Sequence, residues 1–336
     1  MLENAFGRAS GVGSWPGVDV MEAGRTVLGE LPDPGVPFLV ELPGRGPGAD
    51  LVGRAAVLLV DTPVDLQPSG WRLVDRPGRD LERARSMFGQ DLDVLAEVAD
   101  GHLGPLKVQV AGPWTLAASL HLTRLERAVA DPGACRDIVA ALAEGLAQHV
   151  AQVRRLVPGA DVVVQVDEPS LGAVLEGSIA RASGWGHLRA VEEPVVVDGL
   201  RDVLTAATKA GAVHTIVHSC AAGVPVESLL RAGVDGLSLD VSLLGSRGWE
   251  ALGPALEGGS WLWAGAVPTS GAVPKPADVA DAVWTPWRRL GLAPELLQRV
   301  VVTPTCGLAA LAPRTARSVL AAAVAGAREL GARAQS

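Results

Sequence analysis

Cysteine, lysine and long apolar runs are all scarce in this chain, and each scarcity removes a class of protein. Three cysteines occur in 336 residues, at 135, 220 and 306. An odd, widely spaced set of this kind makes no disulfide framework, and a reducing cytoplasm is the expected compartment. No Cys-x-x-Cys knuckle is present, which removes the usual structural zinc module. Lysine stands only at 107, 209 and 275, a usage bias rather than a phosphate-binding patch. The net charge of −8 argues against a nucleic-acid or membrane-surface partner. No apolar run reaches the length of a membrane span, and Met-Leu-Glu-Asn-Ala-Phe-Gly-Arg at the start lacks the core of a signal peptide. Linkers and low-complexity tracts are missing too.

What the chain does have is a regular alternation of strand-like and helix-like runs. Short strands are predicted at Gly11–Ser14, Pro37–Leu42, Leu106–Ala111, Asp161–Val166, Val213–Cys220, Gly236–Val241, Trp261–Val267 and Arg299–Thr303. Helices are predicted over about 18–30, 79–101, 114–157 (a pair), 197–211 and 314–331. Strand cores such as Val162-Val-Val164 are nearly continuous apolar runs, as expected of parallel strands covered on both faces. The pattern predicts an α/β fold: a single (β/α)8 TIM barrel over residues 1–336, with a hairpin-containing insertion over 61–76 after the second strand. A dinucleotide-binding reading of Gly11-Val-Gly13-Ser-Trp-Pro-Gly17 fails because its third glycine comes one residue late.

In such a barrel the chemistry sits at the C-terminal ends of the strands. Those ends carry Ser14, Glu41, Gly112-Pro-Trp-Thr115, Gln165-Val-Asp-Glu-Pro169, His218, Cys220, Asp240 and Cys306. Residues two apart on a strand share a face, so His218 and Cys220 point the same way. With Asp240 and Cys306 they would offer one ion N, S, O and S donors, a set suited to tetrahedral Zn²⁺. Ligands spread over separate strand ends favour a catalytic metal. A zinc ion with two thiolates suits the holding of a substrate thiol as thiolate, and so thiol alkylation. Plainer readings stand beside these. A strand-end cysteine packs as a small apolar group. Asp167-Glu168-Pro169 can open a helix, Ser14 can cap one, and Asp240 can be a solvated strand end. Trp15 and Trp114 are candidates for walls of a substrate pocket.

Five segments resemble the catalytic C-terminal barrel of cobalamin-independent methionine synthase. Gly13-Ser-Trp-Pro16 is similar to the family's Gly-Ser-Phe-Pro, Gly112-Pro-Trp-Thr115 to Gly-Pro-Val-Thr, and Gln165-Val-Asp-Glu-Pro169 to Gln-Ile-Asp-Glu-Pro. His218-Ser-Cys220 matches His-x-Cys, and Pro304-Thr-Cys-Gly307 resembles Pro-Asp-Cys-Gly. The resemblance implies His218, Cys220 and Cys306 as zinc ligands, Asp167 at the amino group of homocysteine and Ser14 at its carboxylate. It also implies Glu41 as the acidic residue of the second-strand loop. The implied activity is zinc-dependent methyl transfer to homocysteine. The family's fourth ligand is a Glu where Asp240 stands here. The family's longer members add an N-terminal barrel for the folate that these residues do not include. Methyltetrahydrofolate and a methylcorrinoid, possibly on a corrinoid protein, both stand as donors. The alternatives are a corrinoid-dependent enzyme for another thiol and a non-catalytic zinc- or ligand-binding barrel.

Overall fold

Valine-rich runs that cannot face water on either side must be covered on both, and the chain meets this demand by curling a parallel sheet inside a layer of helices. A computed structural model describes residues 4–124 and 126–336. Residues 1–3, part of the stretch read for a signal peptide, and Leu125, within the predicted helical pair, lie outside the described residues.

In chain order the elements are β1 (Arg8–Ala9), α1 (Val20–Glu30), α2 (Leu51–Val57), β2 (Val64–Gln67), β3 (Gly70–Leu73) and α3 (Arg79–Val98). Then come β4 (Gly104–Ala111), α4 (Pro113–Ser119), α5 (Pro132–Leu156), β5 (Ala160–Asp167), α6 (Leu171–Glu176) and α7 (Glu193–Lys209). The last third holds β6 (His214–Ser219), α8 (Val226–Arg231), β7 (Gly236–Asp240), α9 (Gly245–Glu257) and β8 (Trp261–Val267). It ends with α10 (Pro276–Arg289), β9 (Val300–Pro304) and α11 (Pro313–Ala334). Among the described residues no helix is long and apolar enough to cross a membrane.

The large sheet has seven strands in the order β1-β9-β8-β7-β6-β5-β4, and its ladders are parallel. The predicted second strand, Pro37–Leu42, is not one of them. It is an extended segment fixed at single points between β1 and β4, through the bridges Ser10–Val36, Ser14–Glu41 and Phe38–Lys107. Pro37 has no N–H to give a ladder, so the segment alternates its partners. Its carbonyl accepts from Lys107 N–H at 2.8 Å, while Leu39 N–H donates to the Lys107 carbonyl at 2.9 Å and Glu41 N–H to the Gly13 carbonyl at 3.1 Å. These bonds close the curl into a TIM-barrel form. The first strand also shifts: its ladder is Arg8–Ala9 on Val301–Val302, upstream of the predicted Gly11–Ser14. Beyond Ala9 the chain makes single contacts only. Gly13 is needed there, because a Cβ would come within 2.7 Å of the Gln109 side chain.

The predicted hairpin is present as the antiparallel pair β2–β3, and α3 follows it. A band of Val36, Val163, Ile216, Trp261, Trp263 and Val301 fills the barrel interior, so the two tryptophans of β8 are packing residues. Leu320 and Leu330 of α11 are buried against the sheet as predicted.

Candidate metal centre

Above the apolar plug the barrel interior turns polar, because the inward positions of successive strands change from valine and tryptophan to Lys107, Gln109, Gln165, Asp167 and His218. β5 and β6 run in register with Asp167 beside His218, and β6 and β7 with His218 beside Ser238. The His218 imidazole uses Nδ1 at 3.1 Å from the Ser238 carbonyl and 3.0 Å from its hydroxyl. A carbonyl only accepts, so Nδ1 carries the hydrogen and Nε2 presents its lone pair. That Nε2 is buried with no hydrogen-bond partner.

Cys220, just past β6, and Cys306, just past β9, complete the group. Their sulfur atoms are 3.3 Å apart, and ligand atoms of His218, Cys220 and Cys306 all lie within 4.8 Å of one another. The hydrogen bond from Cys220 and the adjacent His218 imidazole pull the Cys306 thiol down to about 4. The same shared proton pushes Cys220 up, aided by burial. One nitrogen and two sulfurs, with an orphaned buried imidazole nitrogen among them, fit a zinc ion. His218, Cys220 and Cys306 are the residues that could hold it.

Asp240 stands apart from this group among the described residues. Its Oδ1 accepts from the Ser242 N–H at 2.9 Å and the Ser242 hydroxyl at 2.6 Å. A carboxylate one methylene shorter than Glu closes a local turn instead of reaching inward.

Asp167 is buried next to His218 and accepts from Gln165 Nε2 at 2.7 Å. Burial pushes its carboxyl up to about 7, against the opposing pull of His218 and Lys107. Glu41 is also buried, and burial raises it while Arg54 and Gln109 counter the rise. Arg54 stands 3.6 Å from Glu41 and forms a second, closer ion pair with Asp91, which Arg45 also meets at 2.7 Å. Ser14 reaches the group through the backbone: its carbonyl accepts from Leu308 N–H at 2.9 Å. A Cβ on Gly307 would overlap the Ser14 hydroxyl, so Ser14 lies directly against the Cys306–Gly307 turn.

The structure gives both tryptophans other neighbours. Trp114 is buried, and its Nε1–H donates to the Val196 carbonyl of α7 at 3.0 Å, which turns the indole into the helix layer. Trp15 is buried and lines a groove of about 270 Å³ with α1 and the start of α11. Asp167-Glu168-Pro169 does not open a helix at Glu168 either, since α6 begins after Ser170. Glu168 instead caps α4 from the end of the neighbouring strand, accepting from the N–H groups of Trp114 at 2.9 Å and Thr115 at 2.8 Å and the Thr115 hydroxyl at 2.7 Å. Burial pushes Glu168 up to about 7.

Sequence reasoning passed over Lys107, Gln109 and Ser238, and quoted Gln165 and Glu168 without giving them a role. A signal existed: Lys107 and Gln109 alternate inward on an otherwise apolar strand, as do Gln165 and Asp167.

Residues 8–329 match the family described as cobalamin-independent synthase, catalytic domain. No curated protein matches the chain. Among solved structures, a B12-independent methionine synthase from Shewanella sp. W3-18-1, in complex with selenomethionine, is similar with a TM-score of 0.64 and 14% identity. The likeness covers 98% of this chain and 99% of that one, and at this identity it speaks for the fold. A putative fructose-1,6-biphosphate aldolase from Coccidioides immitis aligns over 67% of this chain and 78% of its own at 15% identity, with a TM-score of 0.28, too low to bear on the fold. A family that works without cobalamin overturns the methylcorrinoid donor, the corrinoid protein partner and the corrinoid-dependent alternative. Its members being enzymes, the non-catalytic barrel falls as well. The chain belongs to the cobalamin-independent methionine synthase family, methyltransferases that act on the thiol of homocysteine.

Proposed function

We propose that this chain methylates homocysteine to methionine at a zinc site made by His218, Cys220 and Cys306, with a methyltetrahydrofolate as donor. The observation that carries the reading is the His218 imidazole, anchored at Nδ1 by Ser238 with a buried, unpartnered Nε2 beside two cysteine sulfurs. Bound there, zinc would hold the substrate sulfur as thiolate at neutral pH, where a free thiol is only a few per cent ionised.

The chain's own residues supply the rest. Asp167, buried beside His218, takes the ammonium of the amino acid. Ser14, against the Cys306–Gly307 turn, takes its carboxylate, and Glu41 lines the pocket from the second-strand segment. Holding both ends of the amino acid aims its sulfur at the donor methyl group, and such alignment supplies a large share of the acceleration of a displacement.

Elemental analysis of the purified protein beside Cys220→Ser tests the site. About one zinc per chain, lost in the variant, is expected of a three-ligand site. Methionine should then form from homocysteine and a methyltetrahydrofolate. A protein that stays free of zinc after reconstitution under reducing conditions would sink the reading.

A further inference from the structure

Lys107 is the one lysine whose side chain is fully enclosed, pointing from β4 into the barrel interior. Burying an ammonium is expensive unless its hydrogens and its charge are matched. Here they are. Nζ donates to the Val12 carbonyl at 2.7 Å and to Gln109 Oε1 at 3.4 Å. Its charge faces Asp167 and Glu41, and the Phe38 ring lies 5.3 Å away.

The Val12 carbonyl takes a second donor, Gln165 Nε2 at 2.8 Å, and the same amide nitrogen reaches Asp167 Oδ1 at 2.7 Å. Gln109 in turn donates to the Leu39 carbonyl at 2.6 Å, two residues from Glu41. One hydrogen-bonded floor therefore joins three separate stretches of chain: the 12–14 segment ending in Ser14, the end of β5 with Asp167, and the 36–41 segment ending in Glu41. Ser14 and Asp167 are the groups that the functional reading gives to the amino-acid end of the substrate, and Glu41 lines the same pocket. None of the floor residues is a metal ligand.

We infer that Lys107, acting with Gln165 through the Val12 carbonyl, is a positioning residue that sets Ser14 against Asp167, and so makes the pocket select an amino-acid thiol over a simple thiol. The inference rests on the proposed methyl transfer to homocysteine, and it adds where the preference for the amino acid is built. The 12–14 segment has no ladder of its own beyond Ala9. Glu41 and Leu308 hold Gly13 and Ser14 from one side, and the two donors on Val12 are what tie the segment to Asp167 on the other.

Isothermal titration of the zinc-loaded protein with L-homocysteine and with 1-propanethiol, which lacks the amino-acid group, provides the test. Wild type, Lys107→Met and Lys107→Arg are compared, with zinc content measured on each. Lys107→Met should lose about tenfold to a hundredfold in affinity for L-homocysteine, the size of effect that ångström-scale misplacement gives. Its affinity for 1-propanethiol and its zinc content should stay as in wild type. Lys107→Arg, which keeps a donor and the charge, should recover part of the loss. An equal loss for both thiols with zinc retained would mean a general structural role and overturn the inference. So would tighter binding of L-homocysteine by Lys107→Met: removing the cation makes the pocket more negative, and a gain would show that charge, not placement, governs. If Lys107→Met shows no cooperative melt, Gln165→Leu, which takes the other donor from Val12, is read against the same outcomes. A wild-type protein that prefers L-homocysteine but transfers no methyl group would overturn the proposed reaction and leave the positioning role standing.

Discussion

Cys220 and Cys306 lie 86 positions apart in sequence and 3.3 Å apart at their sulfur atoms, with the unpartnered Nε2 of His218 in the same group. Two thiols this close share one proton, so the first to ionise does so far below the usual thiol range.

Cys306→Ser should therefore remove metal and activity together. Zinc content should fall from about one per chain to a small fraction of that, since one nitrogen and one thiolate make a poor zinc site. Elemental analysis and a homocysteine methylation assay on the same sample check it. Activity persisting without zinc would contradict the role given to the cysteine.

Asp240→Ala makes the opposite expectation. Its carboxylate is occupied by Ser242, so zinc affinity should drop by less than the roughly tenfold seen when a group supporting a metal ligand is removed. Competition with a chromogenic chelator measures it. A loss as large as that of Cys306→Ser would place Asp240 on the metal after all.

Gly307→Ala puts a methyl group where the Ser14 hydroxyl sits. KM for homocysteine should rise about tenfold to a hundredfold, while zinc stays bound because the Cys306 sulfur is untouched. Steady-state kinetics beside metal analysis separates the two effects.

Acid stability should be a balance of two opposed pairs. The buried histidines His149 and His214 weaken the fold as pH falls. Asp167 and Glu168, which burial raises to about 7, strengthen it because the folded chain then holds their protons. Burial holds the histidines at about 3 and about 4, below the ordinary 6.5. At these two sites the unfolded chain therefore binds more protons than the folded one as pH falls below 6.5. Each histidine should contribute a loss of about 1.4 kcal/mol per pH unit across that window, which the two raised carboxyls offset. Both ring nitrogens of His149 lack partners, and Phe88 packs 5.1 Å away. His149→Phe should then unfold in urea at pH 7 no more easily than wild type, and between pH 6 and 5 the difference in stability between the two should shift in the variant's favour by about 1.4 kcal/mol. An unchanged difference would take His149 out of the balance.

Much of this architecture was legible because its signals are local. Val162-Val-Val164 and Trp261–Val267 read as buried strands from composition alone, and β5 and β8 fall there. His218 and Cys220 could be put on one face by period-two geometry. The first two strands were misjudged for a reason periodicity cannot carry. Gly11–Ser14 and Pro37–Leu42 are extended but paired at single points, and only the neighbours Gln109 and Lys107 dictate that. Asp240 accepts from Ser242 two residues on, a local competition for the carboxylate that strand periodicity does not show. Trp114 read as rim because α4 starts at the rim, yet its indole is claimed by the Val196 carbonyl of a helix distant in sequence. Long-range capture of this kind leaves no mark in the segment itself.

The seam at 36–41 has a consequence for how the barrel breathes. From β4 to β9 the backbone is laddered strand to strand, and that arc carries Asp167, His218, Cys220 and Cys306 at its strand ends. The remaining arc is tacked by isolated bridges, and it carries Ser14 and Glu41. Thermal opening begins where cooperative pairing is thinnest, so amide hydrogens of the seam should exchange with solvent ahead of those in the ladders. The barrel is thus stitched unevenly, with His218, Cys220 and Cys306 on the continuous arc and Ser14 and Glu41 on the thinly paired one.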